Sequence, residues 1–100
     1  MDSEDSVLVM LHKRIRKRES YNIDSNEIYE ALEKNGYPME EKEVMDGLAK
    51  LKSAGYIRAY EDVEDVNGGS RVVRYWGLEI TPEGAMRAID LMNQFRYGNG

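Results

Sequence analysis

At 100 residues, 41% of them hydrophobic, the chain is long enough for one domain around one core and too short for two. Its 14 Lys and Arg residues are outnumbered by 19 Asp and Glu, for a net charge of −5, which argues against nucleic-acid affinity driven by charge alone. There is no cysteine and one histidine, His12, so a disulfide framework, a thiolate metal site and a site built on several histidines are excluded.

The stretch SEDSVLVMLHKRIRKRES predicts a first helix. Ser3 or Ser6 would cap it, with Glu4 and Asp5 near its positive end and the basic residues toward its C-terminal end. At about 100° per residue, Val7, Leu8, Leu11 and Ile15 share one face and Lys13, Arg16 and Lys17 lie opposite. Val9 and Met10 do not join that stripe, so the first two turns are apolar nearly all round. YNI, at residues 21–23, reads as a short β-like stretch. Asp24 and Glu27 then have capping-box spacing, and Asn35-Gly36 is a stop signal. Between them Ile28, Ala31 and Leu32 face inward. A third helix runs from about Met39 to Ala54 and stops at Gly55, with Val44, Leu48 and Leu51 as its stripe and Met45 at the edge.

YEDVEDVNGGSRVVRYW, residues 60–76, reads as a β-hairpin with an acidic arm and a basic arm. Asn67-Gly68 is a strong two-residue turn signal. With that turn Val66 faces Gly69, Glu64 faces Arg71, Val63 faces Val72, Glu61 faces Arg74, Tyr60 faces Tyr75, Ala59 faces Trp76 and Ile57 faces Leu78. Apolar meets apolar and acid meets base, as cross-strand pairing favours. A turn centred on Gly68-Gly69 would set Val63 against Arg74 and Glu64 against Val73, a poorer match. Thr81 and Pro82 then open a last helix, as N-cap and first helical residue. It should end near Arg96, leaving residues 97–100 as a frayed tail.

The order is helix, short strand, helix, helix, hairpin, helix. This predicts an α+β fold, a winged helix-turn-helix over residues 1–100: a three-helix core, a two-stranded wing and a C-terminal helix. VMDGLAKLKSAGYIRAY followed by RYWGLEITPEGAMRAIDLM resembles the second half of many small prokaryotic winged-helix proteins. The shared parts are Ala54 to Ile57 at the end of a helix and the Thr-x-x-Gly from Thr81 to Gly84. The layout is similar to PadR-like and MarR-like regulators. The size and the GLEITPEG junction are closer to the small YjcQ-type winged-helix proteins. The PadR and MarR likeness implies dimeric DNA-binding repressors, whereas the YjcQ likeness implies no assigned activity.

A DNA-binding winged helix lays its third helix in the major groove. The outward face expected here carries Lys42, Glu43, Asp46, Ala49, Lys50 and Ser53. It reads equally as a solvated face, with Asp46 one turn from both lysines as an ion-pair ladder. Arg71 and Arg74 of the wing could touch phosphate or answer Glu64 and Glu61 across the strands. Lys13 and Lys17, in the basic run HKRIRKR, could join them or form the dipole-compatible end of the first helix. His12 reads as a boundary side chain. EDVEDVNG lacks the ligand spacing of a calcium loop, and no metal or cofactor is expected. No nucleophile, acid pair or phosphate loop suggests an enzyme.

The apolar residues of the last helix, Ala85, Met86, Ala88, Ile89, Leu91, Met92 and Phe95, cover more of its circumference than one core contact needs. With Val9 and Met10 they suggest a homodimer through the first and last helices, using Val9, Met10, Met86, Leu91 and Phe95. No apolar run approaches a membrane span, and the acidic start is the wrong sign for a secretion signal, so a cytoplasmic protein is expected. The leading expectation is a small regulator of transcription. It would bind double-stranded DNA through Lys42, Lys50 and Ser53, with Arg71, Arg74, Lys13 and Lys17 on phosphate. The alternative is a protein-interaction module on the same scaffold, offering its acidic third-helix entrance or a Tyr60/Tyr75 face.

Overall fold

The computed structural model describes residues 2–17 and 22–98, with side chains up to residue 94. Its elements are α1 (Ser3–Lys17), α2 (Ser25–Lys34), α3 (Glu41–Ser53), β1 (Ile57–Val66), β2 (Gly69–Ile80) and α4 (Pro82–Gly98). The order and type match the sequence reading, except for the strand expected at residues 21–23. Tyr21 lies outside the described residues. Ile23 is not in a strand, although its carbonyl accepts a hydrogen bond from the Leu78 N–H at 3.0 Å. Among the described residues no helix is long and apolar enough to cross a membrane.

α1 is the centre of the molecule. Asp2 caps it, neither Ser3 nor Ser6: its carboxylate accepts from the Asp5 N–H at 2.8 Å. The six residues from Val7 to His12 are all buried, because α2, α3 and α4 all pack against this helix. That corrects the reading of Val9 and Met10. They fall off the main stripe because α1 is enclosed, and each is 6% exposed within the chain's own core.

Both helices of the helix-turn-helix end in the same way. Gly36 and Gly55 have φ of 83° and 81°, a left-handed geometry that suits glycine. Past them the Tyr37 and Tyr56 N–H groups reach back to the Leu32 and Leu51 carbonyls at 2.9 and 3.0 Å. At the start of α2, Asp24 accepts from the Glu27 N–H at 2.8 Å. Only half of the expected capping box forms, because the Glu27 side chain turns to Arg14 at 3.1 Å. α3 starts two residues later than expected, with the Glu43 side chain accepting from the Glu40 N–H at 3.4 Å. Val44, Leu48 and Leu51 are buried as the periodicity required.

The hairpin turns at Asn67-Gly68, and its tip has the expected register: Val66 to Gly69, Glu64 to Arg71 and Val63 to Val72. Below that point the register departs from expectation twice. Val63 pairs with Val72 but Asp62 with Arg74, leaving Val73 extra. Tyr60 pairs with Trp76 but Arg58 with Glu79, leaving Gly77 and Leu78 opposite Ala59. These are β-bulges, and Gly77, with φ of 58°, supplies the left-handed residue that one such bulge requires. The second has a visible cause. The Gly77 N–H is held by the Asn22 side chain at 2.9 Å, and the Leu78 N–H by Ile23. Here β2 hydrogen-bonds to the segment ahead of α2. Tyr75, Leu78 and Ile57 at the hairpin base are buried, whereas the outer arms are exposed.

α4 starts as expected, with Thr81 Oγ1 accepting from the Gly84 N–H at 3.0 Å. The same hydroxyl donates to the Gly55 carbonyl at 2.7 Å, and the Thr81 N–H to the Tyr56 carbonyl at 3.0 Å. The end of α3 and the start of α4 are thus bolted together. α4 continues to Gly98, past the predicted end near Arg96 and into the residues expected to fray.

Candidate functional site

The face of α3 turned away from the core carries the expected residues. Lys42, Asp46, Lys50 and Ser53 are exposed and Ala49 is half-buried. The ion-pair ladder through Asp46 does not form. Among the described residues Lys42 and Lys50 join no ion pair, whereas Lys52, on the flank, binds Glu61 at 2.9 Å. Glu43 turns from this face toward α1, where it accepts from the Ser3 hydroxyl at 3.0 Å.

The wing arginines are in a different state. Arg74 was expected to face Glu61, and the first bulge gives it Asp62 instead, at 3.4 Å. Its stronger partner lies 50 residues back in the chain. Arg74 Nε and Nη2 both donate to the Asp24 carboxylate, at 3.1 and 3.0 Å. The guanidinium pKa is raised, chiefly by that hydrogen bond, with Asp62 adding to it against some loss from desolvation. Arg74 therefore ties the wing to the N-cap of α2. Arg71 keeps its expected partner, Glu64, at 3.5 Å, with both side chains mostly exposed. Arg58 is similarly placed beside Glu79 at 3.5 Å.

Asp24 now holds two roles, so its replacement should have a measurable effect. Asp24→Ala is expected to lower folding stability by about 1–2 kcal/mol from the lost cap alone, with a further loss from the stranded Arg74. Asp24→Asn keeps a cap acceptor and should recover most of the cap's share. Urea unfolding midpoints of the two variants check this.

The second bulge also changes the aromatic face. Tyr60 stacks on Trp76, with ring centroids 4.6 Å apart and planes 25° apart, and Trp76 Nε1 donates to Asp62 at 3.1 Å. Tyr60 is 64% exposed, whereas Tyr75 is 4% exposed. A Tyr60/Tyr75 surface is thus excluded, because Tyr75 points into the core. Its hydroxyl pKa is raised by burial, then by Glu61 and Asp46.

Lys13 and Lys17 are exposed on α1. With Met10, His12, Arg14 and Arg16 they line a groove of about 270 Å³, closed by Asn35 and Met92. No residue of α3 or the hairpin lines it. No described contact joins these two lysines to Lys42, Lys50, Ser53, Arg71 or Arg74. The run's last residue, Arg18, lies outside the described residues.

His12 is 7% exposed, and among the described residues neither ring nitrogen has a hydrogen-bond partner. Burial, and then the charge of Arg16, lower its pKa below the ordinary value of 6.5. The sign of the linkage follows. Below that value the unfolded chain takes up a proton that the folded chain refuses, so stability falls with falling pH until the folded pKa is reached. The slope is at most about 1.4 kcal/mol per pH unit. His12→Leu should remove this component, and it should be neutral or stabilising by about 1 kcal/mol near neutrality, because it eliminates two orphaned polar atoms. Thermal melts of both proteins on either side of that pH check it.

Of the residues expected at a dimer contact, Val9, Met10 and Leu91 are buried in the chain's own core. The side chain of Phe95 lies outside the described ones. Met86 is 67% exposed, and Ile89, one turn on, is 45% exposed. The sequence reading left Ile89 out of the interface, although its spacing from Met86 carried the signal.

No family model matches the chain, and no curated protein does. The narrower resemblance to PadR-like, MarR-like or YjcQ-type proteins therefore stands on the residues that carry it. Among solved structures the chain is similar to the crystal structure of SSV1 F-93. The TM-score is 0.61 at 19% identity, over 99% of this chain and 91% of that one. A likeness at that identity concerns the fold. Together with the helix-turn-helix of α2 and α3, the β1–β2 wing and the closing α4, it establishes that the chain has the winged helix-turn-helix fold.

Proposed function

We propose that the protein is a small DNA-binding regulator of transcription that acts by binding and not by catalysis. The observation that supports this is the pair of exposed lysines on the outward face of α3, Lys42 and Lys50, which join no ion pair among the described residues. In this fold that helix enters the major groove. Lys42, Lys50 and Ser53 would face the groove and its phosphates, and Arg71 near the wing tip would reach the flanking backbone by exchanging Glu64 for phosphate. Arg74 is withdrawn from the contact set, because Asp24 and Asp62 already hold it. Lys13 and Lys17 are withdrawn as well, because they belong to the separate α1 groove. Met86 and Ile89 on α4 would pair two copies about a two-fold axis.

Random-sequence duplex DNA at low salt tests this reading. Binding should be detectable and fall steeply as salt rises. No binding at low salt, to random or genomic fragments, would sink it. In parallel, Met86→Glu with Ile89→Glu should lower the molar mass in solution from dimer to monomer. A dimer that survives both changes rejects the α4 contact.

A second reading has its own observation. The stack of exposed Tyr60 on half-buried Trp76 stands on a hairpin whose arginines each meet an acid. Such a surface suits a protein partner, since an aromatic anchor with a polar rim is what interfaces favour. If DNA fails to bind, Tyr60→Ala should then remove the partner.

A further inference from the structure

The tip of the wing carries a reactive pair that the proposed contacts leave unused. Asn67 and Gly68 form the two-residue turn between the paired Val66 and Gly69, and both are exposed. Among the described residues neither the Asn67 side-chain amide nor the Gly68 N–H has a hydrogen-bond partner. A Cβ built at Gly68 or Gly69 would meet nothing within 4 Å, so no other part of the described chain leans on the turn. An asparagine followed by glycine has a route to modify itself. The backbone nitrogen of the next residue attacks the asparagine Cγ, and glycine, with no Cβ, leaves that nitrogen unhindered.

The chain holds its own comparison. Asn35-Gly36 is the same dipeptide and is also exposed, so neither sequence nor solvent access separates the two. Hydrogen bonding does. Asn35 Nδ2 donates to the Ala31 carbonyl at 2.7 Å, and the Gly36 N–H to the Glu33 carbonyl at 3.3 Å. The ψ of Asn35 is 12°, which turns the Gly36 nitrogen away from Cγ. Bringing the two together breaks both bonds and disturbs the one from the Tyr37 N–H to the Leu32 carbonyl that closes α2. At the wing tip the same swing breaks no hydrogen bond of the Asn67 amide or the Gly68 N–H. Asn22, Asn26 and Asn93 are followed by Ile23, Glu27 and Gln94, whose side chains crowd the attacking nitrogen.

We infer that Asn67 is a site of spontaneous modification: the Gly68 nitrogen closes on Asn67 Cγ, ammonia leaves, and water opens the resulting ring. In the first step the N–Cγ bond forms, the Cγ–Nδ2 bond breaks, and the Gly68 amide proton departs with the ammonia. Water then adds at one of the two ring carbonyls. Cleavage of the new N–Cγ bond leaves aspartate on an unaltered backbone. Cleavage of the original peptide bond leaves isoaspartate, with a main chain that runs through Cβ and Cγ and is one methylene longer. Either product adds a negative charge near Glu64 and Asp65, on the arm that faces Arg71. The longer product does not fit a two-residue turn, so the Val66–Gly69 pair opens. This chemistry is independent of what α3 binds.

The test holds the full, folded chain in warm, mildly alkaline buffer, where loss of the amide proton activates the attacking nitrogen, and digests samples with trypsin over time. Cleavage after Lys34, Arg58, Arg71 and Arg96 puts Asn35, Asn67 and Asn99 on separate peptides. Mass spectrometry reads the exchange of amide for acid, and labelling by isoaspartyl methyltransferase reads the longer product. Asn67 should convert roughly tenfold or more faster than Asn35, which must first give up two hydrogen bonds. In concentrated urea the two rates should converge. Asn67→Gln should remove the label from its peptide, because the longer side chain closes a larger ring far less readily. An Asn67 that stays intact in the folded chain while the unfolded chain converts overturns the inference. So does an Asn35 that converts as fast as Asn67 in the folded chain, which would make the dipeptide alone the determinant.

Discussion

Replacing Gly84 by alanine should cost about 3 kcal/mol or more of folding stability, a loss in the range reserved for backbone clashes and core cavities. Gly84 lies in the first turn of α4, where the helix start meets the end of α3. A Cβ there would run into the Tyr56 carbonyl oxygen and come within 2.9 Å of Ile80 Cγ1. The first obstacle is main chain, so it cannot rotate aside. Relief requires α4 to back away, and that breaks the bonds from Thr81 to Gly55 and Tyr56. The melting temperature should fall by roughly 12 °C or more, at ~4–8 °C per kcal/mol for a domain of this size. Gly47→Ala is the matched control. Gly47 is also a buried helical glycine, yet an added Cβ would meet Val7 Cγ2 at 3.4 Å, an ordinary contact. Alanine gains up to about 1 kcal/mol over glycine in a helix interior, so that variant should be as stable as the parent or more so. Equal melting temperatures for the two variants would refute the bolt between α3 and α4.

That junction explains why the turn residues were such good guides to the fold. Gly36, Gly55 and Thr81 each meet a local backbone requirement, and local requirements leave their mark in sequence. The tip of the hairpin was legible for the same reason, since Asn67-Gly68 fixes the first few pairs. The lower hairpin was not. Its bulges arise where Asn22 and Ile23 capture the backbone of Gly77 and Leu78, and no pattern within the hairpin announces a partner 55 residues away. The Arg74–Asp24 pair is hidden in the same way. Asp24 reads as a helix cap and Arg74 as a wing residue, and only the folded chain brings them together. Val9 and Met10 were misread for a different reason. An apolar residue off the main stripe has two meanings, a second interface or a fully enclosed helix, and periodicity does not separate them. On α3 the periodicity was sufficient for which residues face outward. It could not say which of the charges there would be spent on neighbours.

That division of the charges leads to the sharpest functional expectation. If α3 is the DNA-reading helix, Lys42→Gln with Lys50→Gln should weaken binding to duplex DNA by roughly a hundredfold at low salt and make the log–log salt slope shallower by about 2, one unit for each lost phosphate contact. Neither lysine has a partner within the described chain, so folding stability should not change and the loss can be assigned to the interface. Arg74→Gln should behave in the opposite way. It removes the cation between Asp24 and Asp62, so stability falls while DNA affinity and its salt slope stay as they were. Charge counting predicts the reverse ranking, because an arginine on an exposed wing is the stronger phosphate ligand on general grounds. The two predictions therefore diverge on one measurement, salt-dependent binding of the lysine pair against the single arginine. A steep loss from Arg74→Gln with the lysine pair silent would move the interface from α3 to the wing. It would also mean that Arg74 leaves Asp24 when DNA arrives, and the α2 cap would then loosen in the complex.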